Sequence, residues 1–153
     1  MKYQKLKAHL MSEAELREIW RKEYCVEEIV TFDTVKVRFF EDMFDHAFFE
    51  SAHRMKKDKT ILSYNRLEKM LWIKDTLKDP SAILKKGWNK DRKGYYTDRR
   101  VAVIKGNYIV IIRFTGMLKA KFVTAYEKND ISNILSSPEF ERSERFFGDC
   151  GWA

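Results

Sequence analysis

The sequence is poor in cysteine, with two in 153 residues. Cys25 and Cys150 lie far apart without the close spacing of metal ligands, which excludes a disulfide framework and a zinc-finger signature. No apolar run approaches the roughly 20 residues that a membrane-spanning helix needs. The basic N-terminus is not followed by the long apolar stretch of a secretory signal. We therefore expect a cytoplasmic protein, not bound to a membrane, whose thiols stay reduced.

Several catalytic signatures are missing as well. The chain has no P-loop, no GxGxxG, no HExxH and no GxSxG motif, which excludes the commonest nucleotide-binding, zinc-protease and hydrolase sites. What it does have is 44% hydrophobic and 14% aromatic residues, a composition typical of a folded globule. With no internal repeat and no linker, residues 1–153 are predicted to form one domain.

Positive charge is concentrated in the middle third of the chain. The net charge is +7 overall. Residues 52–100 carry 15 basic and 6 acidic side chains, a net charge of +9, whereas residues 1–51 have a net charge of −3. A clustered excess of lysine and arginine can steer a polyanion to one face of a protein. The alternative is an ordinary solvated surface, and charge alone does not separate the two.

The stretch over residues 99–126 predicts three consecutive strands; it reads RRVAVIKGNYIVIIRFTGMLKAKFVTAY. Gly106-Asn107 suits a tight two-residue turn. Residues 108–115 form the most apolar run of the chain and are rich in β-branched side chains. Because the loops are so short, neighbouring strands must pair antiparallel. This meander is the predicted platform for the fold.

The last strand of the meander alternates between two faces. Its alternation places Ala120, Phe122, Thr124 and Tyr126 together on one face. The hydroxyls of Thr124 and Tyr126 then either contact a ligand such as a phosphate or pack as ordinary strand residues.

Helical patterns precede the meander. Ser12 and Glu15 have the form of a capping box, which predicts a helix over Glu13–Tyr24. Alternation over 34–39 predicts a half-buried strand that either joins the sheet edge or pairs in a local hairpin. Further helices are predicted over 41–56, 64–78, 80–86 and 130–135. The predicted fold class is α+β, with N-terminal helices packed on a small antiparallel sheet whose main part is the C-terminal meander.

One row of polar residues on the predicted helix 41–56 has metal-ligand character. Asp42, His46, Glu50 and His53 recur at helical spacing, and Glu-x-x-His is the spacing seen in di-iron bundles. Such sites need matching carboxylates from other helices, and the sequence offers no partner motif. We therefore expect no metal, and interpret the row as a solvated helix face or the wall of a cleft.

A basic and aromatic segment lies just before the meander. Aromatic faces stack on bases and cations contact the backbone of single-stranded nucleic acid, so this composition suits such a ligand. The equally good alternative is that the aromatics enter the core while the cations remain in water. The candidate nucleic-acid-binding residues are Lys85, Lys86, Trp88, Lys90, Arg92, Lys93 and Tyr95.

Three phrases in order, FDHAFFESAHRMKK, NRLEKMLWIKDTLKDP and KFVTAYEKND, resemble motifs of the phage-associated barnase–EndoU–colicin–RelE-like (BECR) nuclease domains. Those domains show a histidine-containing aromatic segment, an arginine-led helix ending in a W-I…P phrase and a last strand reading F-V-T-A-Y. The resemblance covers about residues 35–131 and leaves a helix over 13–24 and a tail over 138–153 outside the nuclease-like core. It implies helices on a small antiparallel sheet and RNA cleavage without a metal or other cofactor.

Carried over position by position, the resemblance implies four catalytic residues, His46, Arg66, Thr124 and Tyr126. RNA supplies its own nucleophile, the 2′-hydroxyl, so the protein needs a proton-transfer group, and the pKa range of histidine suits that task. Arg66 would hold the phosphate bidentately. The two hydroxyls would stabilise the developing charge. The expected protein is a phage- or toxin-related endoribonuclease whose partner is RNA, with an immunity or antitoxin protein left open as a second partner.

Two other functions are compatible with the sequence. One is a non-catalytic nucleic-acid-binding module of a mobile element, and the other is a protein-interaction domain whose charge is incidental. Only the nuclease function depends on the direction in which His46 points. In a regular helix over 41–56, His46 lies opposite the apolar stripe, so catalysis requires that this face meet the sheet or that the segment be non-helical.

Overall fold

The computed structural model describes residues 2–50, 61–86, 88–89, 94–95 and 100–136. The α-helices of these residues are α1 (Glu13–Trp20), α2 (Met43–Ala47), α3 (Tyr64–Leu67), α4 (Trp72–Leu77) and α5 (Ser132–Leu135). The strands are β1 (Ile29–Val30), β2 (Lys36–Arg38), β3 (Phe49–Glu50), β4 (Ile61–Leu62), β5 (Ile83–Lys86), β6 (Trp88–Asn89), β7 (Gly94–Tyr95), β8 (Arg100–Lys105), β9 (Tyr108–Gly116) and β10 (Lys119–Glu127). None of these helices is long and apolar enough to cross a membrane.

A six-stranded sheet in the order β1-β2-β10-β9-β8-β5 forms the centre of the described fold. All neighbours pair antiparallel except β2 and β10, which are parallel. The α+β class with a C-terminal meander is therefore confirmed, and the one difference is that the sheet is mixed. The strand predicted over 34–39 joins both candidate partners, since β2 pairs with β1 in a local hairpin and with β10 in the sheet.

The meander forms where the sequence predicts it. Gly106 has a φ of 59°, a left-handed conformation that glycine adopts without a steric penalty, and it turns β8 into β9. A second turn with Leu118 at a φ of 56° joins β9 to β10. Eight register pairs connect β10 to β9 and six connect β9 to β8, so the meander is the most extensively paired part of the sheet.

The two faces of the sheet are buried in different ways. One face packs on α1, α2, α3 and α4 and forms the main core, whose largest fully buried side chains include Trp20, Tyr24, Phe44, Phe48 and Phe122. The other face is called the second face below, and described residues cover one end of it. There Ala102, Ile104 and Ile109 pack with Ile131 and Ile134 from the region of α5.

The N-terminal helix is capped as predicted but ends earlier. Ser12 Oγ accepts a hydrogen bond from the Glu15 backbone N–H at 3.1 Å, which satisfies one of the orphan donors of the first turn. The α-helix ends at Trp20, and a π-helical turn over Arg21–Cys25 continues it. The small C-terminal helix predicted over 130–135 forms over Ser132–Leu135.

The helix predicted over 64–78 is broken into α3 and α4 by the Tyr24 hydroxyl. Met70 and Lys74 stand at the spacing of an ordinary helical hydrogen bond. Instead, Tyr24 Oη donates to the Met70 carbonyl at 2.5 Å and accepts from the Lys74 N–H at 3.1 Å. A side chain inserted into the ladder is a recognised cause of helix interruption. Because Tyr24 is far away in sequence, no local pattern could have shown this break.

The prediction of a long helix over 41–56 is wrong. The helix α2 ends at Ala47, and the chain then enters β3, which pairs with β4. The Phe48 carbonyl accepts from the Ser63 N–H at 2.7 Å, so the polar backbone groups after α2 have partners outside a helix. Residues 51–56 of the predicted helix lie outside the described residues.

The helix predicted over 80–86 is also wrong, because β5 occupies residues 83–86 and pairs antiparallel with β8. Pro80 is compatible with a first helical turn. The preceding Asp79, however, accepts hydrogen bonds from the backbone N–H and the hydroxyl of Ser81, at 2.9 and 2.7 Å. This short turn directs the chain to the sheet edge, where β8 offers unpaired backbone groups.

Candidate active site

A β-bulge in β10 reverses which side of the strand faces the main core. In the pairing with β9, Phe122 lies opposite Ile112 and Thr124 lies opposite Ile111, so Val123 is the extra residue. Directly opposed residues share a face of the sheet. Ile112 belongs to the main core and Ile111 to the second face, so Phe122 and Thr124 point to opposite sides.

The bulge overturns the predicted face pattern of this strand. Ala120 and Phe122 are buried in the main core, whereas Thr124 and Tyr126 lie on the second face. The prediction that all four share a face is therefore wrong. Lys121 precedes the bulge and alternates with its buried neighbours, so it joins Thr124 and Tyr126. A regular strand would have kept Lys121 on the opposite side from these two hydroxyls.

A cleft of about 630 Å³ opens beside the bulge. The parallel pairing of β2 with β10 ends at Arg38 and Lys121, and beyond this point the chain leaves the sheet to form α2. The cleft lies in the gap between α2, α3 and the freed part of β10. His46, Arg66, Thr124 and Tyr126, the four predicted catalytic residues, all line it, and Phe40, Met43 and Phe122 add apolar surface.

His46 lines the cleft from the exposed side of α2. Phe44 and Ala47 of the same helix are fully buried, which fixes the orientation of this short element. The Trp20 indole N–H donates to the Phe40 carbonyl at 3.0 Å and holds the chain just before α2. As the sequence indicated, His46 points away from the apolar stripe, and that polar side faces the cleft next to the sheet.

Arg66 connects the two helices to the sheet. Its Nη1 donates to the Ala47 carbonyl at the end of α2, at 3.3 Å. Its guanidinium carbon lies 5.8 Å from the centroid of the Tyr126 ring, a cation–π distance. The side chain is only partly exposed, so the guanidinium is held between α2 and β10 within the cleft.

Tyr126 is held in its protonated form at neutral pH. Burial raises the pKa of its hydroxyl above the ordinary value of 10, and the nearby positive charge of Arg66 opposes part of that increase. A tyrosine with a raised pKa is a hydrogen-bond donor throughout the physiological range. Thr124 is half-buried on the same face, so the wall formed by β10 offers two hydroxyl donors.

Sequence reasoning missed three further cations of the cleft, Arg100, Arg113 and Lys121. Arg100 lies opposite Arg113 and Arg113 lies opposite Lys121 in the strand register. Each comes from a different strand of the meander, and strand register aligns them. The bulge places Lys121 on the same face as Thr124 and Tyr126. The available signal was a charged residue, Arg113, within the most apolar strand. This signal singles out Arg113, but it does not show that Arg100 and Lys121 lie beside it.

The described residues of the predicted nucleic-acid-binding segment do not line the cleft. Lys85 is on β5 opposite Ala102, which puts it on the second face three strands away from Thr124. Trp88 and Tyr95 are backbone partners in the small β6–β7 hairpin, and Lys86 ends β5. Lys90, Arg92 and Lys93 lie outside the described residues. No described member of this segment lines the cleft.

The row considered as a metal site is not a single helix face. Asp42 and His46 line the cleft, but Glu50 lies in β3 after the helix has ended, and His53 lies outside the described residues. In the part of the chain that the structure describes, no group of three or more His, Cys, Asp or Glu side chains could hold a metal ion.

Comparisons with protein-family models, with curated proteins and with solved structures find no significant match to this chain. The resemblance to BECR nucleases stays a prediction.

Proposed function

We propose that the protein is a metal-independent endoribonuclease that cleaves RNA by transesterification from the 2′-hydroxyl. One observation carries the proposal. His46, Arg66 and the hydroxyl pair of Thr124 and Tyr126, three groups widely separated in the chain, line a single cleft of about 630 Å³. That volume is in the range of small-ligand sites, large enough for one phosphodiester and its flanking sugars.

The residue types match the steps of the reaction. His46 accepts the proton of the 2′-hydroxyl, O2′ forms a bond to phosphorus, and the bond from phosphorus to O5′ breaks. Transfer of this proton from His46 to O5′ then releases a 5′-hydroxyl, and the other product ends in a 2′,3′-cyclic phosphate. The nucleophile belongs to the substrate, so the protein has only to transfer protons and stabilise charge.

Charge stabilisation would come from the opposite wall of the cleft. Arg66 is anchored through Nη1 to the Ala47 carbonyl, which leaves its other N–H groups for a phosphate oxygen. The Tyr126 hydroxyl carries its proton at neutral pH, as an ordinary tyrosine does, and burial raises its pKa further; the Thr124 hydroxyl is a second donor. Donors fixed before the reaction stabilise developing negative charge more effectively than reorganising water does. RNA would be the partner, encountered in the cytoplasm.

The first test is cleavage of single-stranded RNA in the presence of EDTA. Wild type should cut it and leave cyclic-phosphate ends, and His46→Ala should lower the rate by about 10²–10⁴-fold. His9 is an exposed histidine outside the cleft, so His9→Ala is the matched control and should cut at the wild-type rate. Replacing the 2′-hydroxyl by hydrogen at the cleavage position should stop the reaction.

No cleavage by wild type, or equal cleavage by His46→Ala, would defeat the nuclease proposal. The cations of the cleft favour a second candidate in that case, a non-catalytic nucleic-acid-binding module. It predicts salt-sensitive retention of RNA that His46→Ala leaves unchanged. The same gel with a parallel binding lane separates the two functions.

A further inference from the structure

Three cations stand in register across one end of the meander. Arg100 on β8 lies opposite Arg113 on β9, which lies opposite Lys121 on β10. Neighbouring strands are about 4.8 Å apart, so the backbones that carry this row span about 10 Å. All three side chains are half-buried, and all three line the cleft. We call these residues the cation row.

No described contact of Arg113 or Lys121 explains why these two cations lie side by side. Like charges directly opposite each other destabilise a sheet. Within the described ranges, neither Arg113 nor Lys121 forms an ion pair with an acidic side chain. The only carboxylate in the described cleft lining is Asp42. A row of this kind is compatible with folding, and it is most stable when an anion occupies the space in front of it.

The cation row lies at a distance from the proposed reaction site. Lys121 precedes Thr124 by three positions on β10, a separation of up to about 10 Å along the strand. Arg113 and Arg100 lie one and two strands further across the sheet. A single phosphate cannot contact Thr124 and the far end of this row at once. Successive phosphates of one nucleic-acid strand can.

We propose that the cation row is a second phosphate subsite, which binds the backbone of a single-stranded RNA next to the scissile phosphate. The assignment of the scissile position rests on the proposed function; the binding of a single strand at the row does not. The substrate class is therefore an oligonucleotide with at least two consecutive phosphates. A cleft of about 630 Å³ admits one strand, and double-stranded RNA binds less tightly.

The test is binding of a labelled six-residue oligothymidylate, measured by fluorescence anisotropy at several salt concentrations. This DNA lacks the 2′-hydroxyl, so binding is independent of cleavage. Arg113→Gln and Lys121→Gln should each weaken binding about five- to tenfold and reduce the slope of log K against log salt by about 0.7. Lys78 is exposed and outside the cleft, so Lys78→Gln is the control with the same charge change and should bind as wild type.

Unchanged binding by Arg113→Gln and Lys121→Gln, or an equal loss in Lys78→Gln, would overturn the subsite. A duplex competitor that binds as tightly as the single strand would overturn the assignment of the substrate class. Lys121→Gln tests the subsite even if Arg113→Gln fails to fold, which circular dichroism would show. RNA cleavage by wild type is measured in a separate assay. If wild type does not cleave RNA but the two variants bind the oligonucleotide more weakly, the subsite is supported and the nuclease proposal fails.

Discussion

At the scale of single residues, Arg66 has the most constrained position in the cleft. One guanidinium N–H is bonded to the Ala47 carbonyl at 3.3 Å, while the planar group lies 5.8 Å from the Tyr126 ring centroid. A lysine ammonium is a point charge without a planar fork, and it cannot keep both contacts and also bind a phosphate oxygen. The geometry therefore requires arginine and not merely a positive charge.

We predict that Arg66→Lys lowers the rate of RNA cleavage by about 10²-fold or more, the size expected for losing one preorganised donor. The free energy of unfolding should fall by only about 1 kcal/mol, since one hydrogen bond is lost. Single-turnover cleavage and thermal unfolding measure the two effects. Arg21→Lys, on the first helical segment and outside the cleft, should change neither by a comparable amount.

Residue patterns predict part of this cleft. The four proposed catalytic residues could be named because each stands in a recognisable phrase of the sequence. The cation row could not, because Arg100, Arg113 and Lys121 become neighbours only through strand register, and only the bulge at Val123 puts Lys121 on the face of Thr124 and Tyr126. The basic segment over 85–95 has the stronger local signal, yet none of its described residues lines the cleft. Local composition shows which segment of the sequence is rich in charge, but not which charged side chains come together in the folded protein.

At the scale of secondary structure, the turn over Asp79–Ser81 directs β5 to the sheet. Asp79 accepts hydrogen bonds from Ser81, and its other oxygen accepts from the Tyr3 hydroxyl at 3.1 Å and lies 3.3 Å from Lys105 Nζ. The hydrogen bonds from Ser81, followed by those from Tyr3 and Lys105, hold the pKa of this carboxyl well below its usual range. One side chain thus joins the N-terminal segment, the turn and β8.

We predict that Asp79→Ala lowers the free energy of unfolding at pH 7 by about 2 kcal/mol, the range for hydrogen bonds to a charged group. Because the folded-state pKa is depressed, this contribution is present above the unfolded pKa of about 3.9 and is lost as the pH falls below it. Urea unfolding of wild type and variant between neutral and acidic pH should show the difference shrinking towards low pH. A difference that is constant with pH would contradict the ionic origin.

Asp130 provides the matched control for this prediction. Its carboxylate accepts from the backbone N–H and hydroxyl of Ser132, the same two bonds that Asp79 makes with Ser81. Asp130 is fully exposed, and the structure gives it no counterpart of the contacts with Tyr3 and Lys105 among the described residues. Asp130→Ala should therefore destabilise the protein less than Asp79→Ala at neutral pH, and the difference between the two variants should shrink as the pH falls.

Elements were predictable where local chemistry decides them. The meander follows from the Gly106 turn and its flanking β-branched runs, and the first helix follows from the Ser12 cap. The helix over 64–78 fails because the Tyr24 hydroxyl enters it, and the one over 80–86 fails because pairing with β8 competes with a short helix. In both failures a partner distant in sequence determines the backbone, so a window of neighbouring residues lacks the deciding information.

At the scale of the whole molecule, one aromatic cluster supports both the core and the cleft. The Trp20 ring lies 4.8–5.6 Å from the rings of four aromatic neighbours. One of them, Phe122, also lines the cleft, as does Phe40, whose carbonyl accepts from the Trp20 indole. A substitution of Trp20 should therefore alter the cleft through Phe122 and Phe40, although Trp20 itself does not line the cleft.

We predict that Trp20→Phe lowers the free energy of unfolding by about 2 kcal/mol, from reduced packing and the loss of one buried hydrogen bond. Trp72 is the control, because its indole N–H is buried and has no hydrogen-bond partner in the described part of the chain. Trp72→Phe removes an unsatisfied donor and should cost about 1 kcal/mol less than Trp20→Phe. If guanidinium unfolding gives equal losses of free energy for Trp20→Phe and Trp72→Phe, packing alone determines the effect of both substitutions.

The position of β10 inside the sheet has a consequence during synthesis on the ribosome. This strand lies between β2, which is made early, and β9, which is made just before it. Until residues 119–127 have been translated, the sheet exists as two separate pieces. Translation products that stop short of Thr124 would lack Thr124 and Tyr126, two of the four residues that line the cleft and carry the proposed reaction. If the proposed function is correct, such a nascent chain should not cleave the message from which it is being read.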